Sequence, residues 1–302
     1  MKLLLIMLVF TLGLSAKSIT PNEVYAEVVV IQEEIHFLLK HFDITHDHDE
    51  IIEETYINAV LKPRNAWQKT YEILVKINML RNFHDLKRIE PIGMEPVLEL
   101  NPDMVYEQTQ RILTEINIFK TRMGIEHNVS QTHIFRNKTP LDVFNILSHI
   151  SLSFDELNRS SFTPSYVFAE TMRIYDDITS ILEHLKIKDN TMPSSRNEDA
   201  TPHDTFNETM KILKKIKYLQ GGVNIDSVDF SSFAKENPTP SDVFTMTQMV
   251  LAELQTIKAY VGLHHYITPP AVVYTNKTPV DVDQLMKWNL KKIELIKSIG
   301  GY

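Results

Sequence analysis

Eight prolines, at positions 21, 63, 102, 140, 164, 202, 240 and 279, each open a stretch with the same internal pattern. Six follow a threonine (Thr20, Thr139, Thr163, Thr201, Thr239, Thr278), one follows Asn101 and one follows Lys62. An acid stands two residues after the proline at Glu23, Asp142, Asp204, Asp242 and Asp281. Thr-Pro-x-acid is a helix start. The threonine hydroxyl accepts an orphan backbone N–H, and proline fits the first helical position because its φ is preset and its missing donor would have no partner there. The acid closes a capping box against the positive helix end.

Behind each proline, apolar residues fall in steps of three and four. In the seventh copy they are Val243, Phe244, Thr247, Val250, Leu251, Leu254 and Ile257. Such a stripe faces a core along about five helical turns, so the pattern predicts an all-α protein of eight bundle helices.

Successive prolines lie 42, 39, 38, 24, 38, 38 and 39 residues apart, and the single short step separates two sets of four. The sets match beyond shared amphipathicity. Thr20-Pro21, Val24-Tyr25-Ala26-Glu27, Ile31, Ile35, Leu39 and His41 are echoed by Thr163-Pro164, Val167-Phe168-Ala169-Glu170, Ile174, Ile178, Leu182 and His184. The third and seventh stretches share Thr109/Thr247, Gln110/Gln248, Leu113/Leu251, Glu115/Glu253, Lys120/Lys258 and Gly124/Gly262, and the fourth and eighth both open Asn-Lys-Thr-Pro. The expected organisation is a tandem duplication of a four-helix unit, residues 17–158 and 162–302. The alternative architecture is an α-helical solenoid with a period near 38 residues. The tetratricopeptide positions are absent, and the segments between stripes lack a second helical pattern.

Those intervening segments are longer than a simple bundle needs. Each is long enough to return along its helix and leave successive helices parallel. Several carry apolar residues expected to pack on the helices: Ile134-Phe135, Val272-Val273-Tyr274, and Phe230 with Phe233. Residues 188–200 are polar and read as flexible.

Residues 1–16 run Met1, Lys2 and then an apolar stretch to Ala16, the layout of a secretory signal and short for a membrane span. The expected mature protein is periplasmic or secreted, with no membrane span after cleavage. The chain has no cysteine, which excludes disulfides, thiolate metal sites and lipidation at a signal-peptide Cys. A formal net charge of -8 argues against nucleic acid as a partner. With only 8 glycines and no Walker, Rossmann, Gly-x-Ser-x-Gly or His-Glu-x-x-His pattern, no enzyme motif is present and no cofactor is implied.

Four features carry chemistry worth weighing. His41, His46 and His48 with Asp47 and Asp49 form a dense imidazole–carboxylate loop of the kind that takes Zn²⁺, Ni²⁺ or Cu²⁺. The spacing matches no ligand pattern and the matching loop of the second half has no histidine, so a solvated acidic loop is the plainer reading. Threonine recurs seven residues after the proline at Thr70, Thr109, Thr171, Thr209 and Thr247, where each hydroxyl is expected to bond to its own helix and not to line a ligand site. Asp283 replaces the aromatic found four residues after the other prolines, and is expected at a solvent-open bundle end, paired with Lys287. Asn-x-Ser/Thr sequons stand at Asn128, Asn137, Asn158, Asn207 and Asn276, of which Asn137 and Asn276 already belong to helix starts. The functional expectation is an exported, non-enzymatic helical-bundle protein of the cell envelope that binds a partner protein or small ligand. The alternative is a periplasmic metal-binding protein using residues 41–50. The places singled out for function are those where the halves fail to match: 41–50, 188–200 and Asp283.

Overall fold

Each proline stretch is a helix in the computed structural model, which describes residues 18–44, 59–90, 92–126 and 130–300. The first unit holds α1 (Pro21–His41), α2 (Pro63–Phe83), α3 (Pro102–Arg122) and α4 (Pro140–Asn158). The second holds α5 (Pro164–His184), α6 (Pro202–Gly221), α7 (Pro240–Tyr260) and α8 (Pro279–Glu294), with a short 3-10 turn at Ser231–Phe233. No strand occurs among the described residues, and no helix there is long and apolar enough to cross a membrane.

The helix starts work as their chemistry dictates. Asp142, Asp204, Asp242 and Asp281 accept the backbone N–H of Thr139, Thr201, Thr239 and Thr278 at 2.7, 2.8, 2.8 and 2.9 Å. The Thr201 backbone and hydroxyl hold the Asp204 carboxyl below its usual range. At Asn101 and Thr163 the capping side chain makes no such bond. There the acid is missing from the third helical position, and Asp103 and Ser165 instead accept the backbone N–H of Ile19 and Lys277 from other segments. Thr239→Ala is expected to cost about 1 kcal/mol, measured by urea unfolding followed by circular dichroism.

Helix ends follow a rule the sequence did not announce. A residue with positive φ is followed by an apolar one at Asp43-Ile44, Asp85-Leu86, Gly124-Ile125, Lys186-Ile187, Asn224-Ile225 and Gly262-Leu263. In each the apolar residue's N–H reaches back into the last turn, as Ile125 does to Lys120 O at 2.9 Å and Leu263 to Lys258 O at 2.8 Å. This is the Schellman stop, with its apolar residue folded back onto the helix.

All four helices of a unit run the same way. Pro21, Pro63, Pro102 and Pro140 surround one small opening at the end of the first unit, and Pro164, Pro202, Pro240 and Pro279 do so in the second. The long connections are therefore return paths. Within a unit α1 packs on α3 and α4, and α2 packs on the same two, so the order around the bundle is α1, α3, α2, α4; the second unit repeats it as α5, α7, α6, α8. A closed ring of four helices replaces the stacked pairs of a solenoid. Parallel helices place like dipole ends side by side, an unfavourable arrangement that acids in the first turns and bases in the last turns offset. Glu23, Asp103, Asp142, Asp204, Asp242 and Asp281 stand at the starts, and Lys40, Arg81, Lys120, Arg122, Lys258, Lys291 and Lys292 at the ends.

The units meet through α2 and α7. Arg64 near the start of α2 reaches Glu253 late in α7, while Lys69 and Glu72 further along α2 meet Thr245 early in α7. The two helices are antiparallel, and so are the two bundles. The reversal happens in the five residues between α4 and α5, the short step in the proline spacing. Phe162 in that turn stacks on Phe244 of α7 with ring centroids 3.8 Å apart. A second link is a backbone bridge, Met94 N–H to Thr268 O at 2.9 Å and Thr268 N–H to Met94 O at 2.8 Å. Gly93 lets these connections approach, because a Cβ there would lie 2.7 Å from Ile267 Cγ2 and 3.0 Å from Thr268 O.

Several expectations change in the structure. Residues 188–200 are polar but tied to α8: Trp288 donates to Thr191, Gln284 to Ser194 O, Arg196 pairs with Asp281, and Lys292 pairs with Asp189. Polar chain is ordered here by hydrogen bonds and ion pairs to one helix. Of the apolar connection residues, Phe230 and Phe233 are buried, whereas Ile134, Val272 and Val273 are exposed. Residues 1–17, where the leader is expected, lie outside the described residues.

Candidate functional site

Charge is buried in quantity, and nearly all of it is paired. Asp177 of α5 and Lys258 of α7, both fully buried, lie 2.9 Å apart, and Thr268 donates to both Asp177 oxygens at 2.8 and 2.7 Å. The first unit repeats the arrangement: Lys120 pairs with Glu34, and the backbone N–H of Ser130 donates to Glu34 at 2.8 Å. Glu34 and Asp177 occupy matching positions in the duplication, as do Lys120 and Lys258. Shared lysines on an apolar stripe were the visible half of this pair. Burial pushes the Lys258 ammonium down, against the raising effect of Asp177.

A second repeated pair has been rewired. In the first unit Arg81 of α2 bonds Glu115 of α3 at 3.0 Å. The matching residues of the second unit are Gln220 and Glu253. With an amide in place of the guanidinium, Glu253 accepts from Gln220 at 2.7 Å and takes its cation from the other unit, Arg64, through two bonds of 2.9 Å. Along α2 the pattern continues: burial raises the Glu72 carboxyl, but Lys69 and Lys76 outweigh it and hold it below its usual range. Lys76 reaches Asp155 at 2.8 Å. Tyr71, Glu170 and Arg173 form a further buried group, with Arg173 donating to Glu170 at 2.6 Å.

Glu27, the counterpart of Glu170, has no such cation. Valine stands at 30 where the second unit has Arg173, and Glu27 Oε1 is buried without a partner among the described residues. Burial raises its carboxyl above the ordinary 4.5. A raised acid favours the folded state at low pH, and that contribution is lost as pH climbs from 4.5 through the raised value. Glu27→Gln is expected to raise the thermal midpoint near neutral pH, with the advantage gone at about pH 4, in paired melts at the two pH values.

The threonines behave as expected. Thr70, Thr109, Thr171, Thr209 and Thr247 are fully buried, and each donates to a carbonyl three or four residues back in its own helix. Asn-Lys-Thr-Pro also has a physical reading. Asn137 and Asn276 take φ of 59°, and Lys138 and Lys277 sit over Tyr25 and Phe168 at 4.0 and 4.3 Å. Asp283 is a correction. It pairs with Lys287 at 2.7 Å, but its carboxylate is fully buried and Oδ1 has no partner among the described residues, so it is not at a solvent-open end. Asn158 is buried and donates to Lys76 O at 3.1 Å, Asn137, Asn207 and Asn276 are exposed, and Asn128 lies outside the described residues. So do His46, Asp47, His48 and Asp49; His41 stacks on Phe37 at 6.2 Å. Among the described residues no three His, Asp or Glu groups gather as metal ligands.

What the sequence reading missed is a cleft of about 210 Å³ between the units. Its floor is α2 (Arg64, Trp67, Gln68) and α7 (Ala252, Gln255). One wall is α3, with Met104, Glu107 and Gln108. The return path after α2 forms the rim through Ile92, Glu95, Val97 and Leu100, and is pinned at Met94 by the bridge to Thr268. Two buried amide oxygens lie here without a partner among the described residues: Gln68 Oε1 and Gln255 Oε1, on side chains 2% and 4% exposed. The amide nitrogen of Gln255 is committed to Asp177 at 2.9 Å, Thr268 at 3.0 Å and Leu251 O at 3.1 Å, which leaves its oxygen as the unsatisfied half of the amide. Gln248, on the same α7 face, leaves its whole amide unpartnered as well.

A signal for this site exists in the duplication. Outward positions of α2 and α7 are smaller or less polar than their counterparts: Val75 against Lys214, Met249 against Arg111, Ala252 against Thr114 and Ala259 against Thr121. Compared with known proteins, the chain matches no family model, no curated protein and no solved structure.

Proposed function

We propose that the protein is an exported, non-enzymatic binding protein of the cell envelope, and that it holds a small ligand in the cleft between its two units. The observation that carries this reading is a pair of buried, unpartnered amide oxygens, Gln68 Oε1 and Gln255 Oε1, on two residues that line one cleft. A buried acceptor without a donor costs about 1–3 kcal/mol, and a ligand N–H or O–H offsets that cost. The cleft also has the general make-up of a small-molecule site, mostly apolar walls with a few convergent polar atoms at a junction of two bodies. Export rests on the leader-like residues 1–16, and a purified envelope form lacking their mass would support it. The absence of a catalytic role rests on buried charges that are engaged with one another, Arg64 at the cleft included, and on the lack of an enzyme motif in the sequence.

The test is a thermal-shift screen of small fragments against wild type and Val97→Trp, which fills the cleft from its exposed rim. Ligands that stabilise wild type and not the filled variant are expected. Stabilisation of both alike, or of neither, rules the cleft out as the ligand site.

A further inference from the structure

We infer that the ligand of this cleft is an amphipathic organic cation: an ammonium group with N–H donors, carried on an aryl or branched aliphatic body. This rests on the cleft reading above and adds the chemical class. The unsatisfied polar atoms of the floor are acceptors, Gln68 Oε1 and Gln255 Oε1. They call for a donor and disfavour a carboxylate or phosphate, whose oxygens would leave both of them unpaired.

The charge around the cleft has the same sense. Glu95 and Glu107 line it and are exposed, so a cation approaching the cleft meets negative potential. The lining cation, Arg64, is already neutralised by two bonds to Glu253. The walls suit the rest of such a molecule. Trp67 lines it with an indole, the most favourable aromatic group for an ammonium, and Met94 and Met104 supply polarisable sulfur alongside Leu100 and Val97. A free metal ion does not fit this chemistry, because among the described residues Glu95 and Glu107 gather with no third His, Asp or Glu. A volume of about 210 Å³ matches a compact ligand and excludes a folded partner.

Calorimetric titration of the purified full protein with three probes that share a phenylethyl body separates the alternatives: phenethylamine, 2-phenylethanol and 3-phenylpropionate, at about pH 7 and low salt, where the amine is protonated. Phenethylamine is expected to bind about tenfold tighter than the alcohol, with the carboxylate weakest. Glu95→Gln/Glu107→Gln, on exposed side chains with little bearing on folding, should weaken the amine severalfold and leave the alcohol unchanged. Alcohol or carboxylate binding as tightly as the amine, with the Val97→Trp variant silent, overturns the cationic class while the cleft stands. No probe binding wild type, or equal binding to Val97→Trp, overturns the cleft reading itself and the inference with it.

Discussion

Lys258→Met is expected to lower the unfolding free energy by about 3–5 kcal/mol, because it strands a carboxylate in the interior. Asp177 and Lys258 are each fully buried, so neither can turn to water when its partner goes. Thr268 and Gln255 would remain as donors to Asp177, but neutral hydrogen bonds replace only part of an ammonium. Urea unfolding with circular dichroism measures the loss. Lys258→Met/Asp177→Leu should recover most of it, since a buried ion pair exchanged for apolar groups of similar size is often close to neutral. If the single variant unfolds like wild type, the pair is not charged in the interior. The same pair of experiments on Lys120 and Glu34 should give a similar result for the first unit, which has the same geometry on matching residues.

Arg64→Leu is the second large effect, again about 3–5 kcal/mol. It leaves Glu253 buried, with Asn65 at 3.1 Å and Gln220 at 2.7 Å as its remaining donors. The two cases differ in what fails. Lys258 supports one bundle from inside, whereas Arg64 joins the bundles, so its loss should also weaken ligand binding in the cleft. A double-mutant cycle with Glu253→Gln is expected to show coupling of about 0.5–3 kcal/mol. Additive effects would mean that the charge on Glu253 is compensated elsewhere.

The helices and their ends were legible because their causes are local. A capping threonine, a proline and an acid three positions on act within a few ångströms of one another, and an apolar stripe states which side of a helix is inward. The parallel course of the helices was open in the sequence, since connection length allows a return path without requiring one. Asp283 shows where local reasoning stops. Its i+4 partner Lys287 was readable, but the burial of its carboxylate depends on four helix ends converging. The cleft was harder still. Gln68 and Gln255 look like ordinary exposed polar residues in their own helices, and only tertiary packing, on Met94 for the first and on Asp177 and Thr268 for the second, buries them. That packing had left a trace in Ala252, Ala259 and Val75, which are too small or too apolar for a solvated face.

The return paths have a consequence for how this protein reaches its native state. No two helices that follow each other within a unit form an antiparallel hairpin, so the quick local zippering open to an up-and-down bundle is closed here. Helix α1 must wait for α3 and α4, because α2 sits across the diagonal from it. Loop closure over such distances precedes any burial that rewards it, which slows folding at a given stability. A bundle this helical is thus expected to fold with the tempo of a β-sandwich, and a chain cut after α2 to have no partner to wait for.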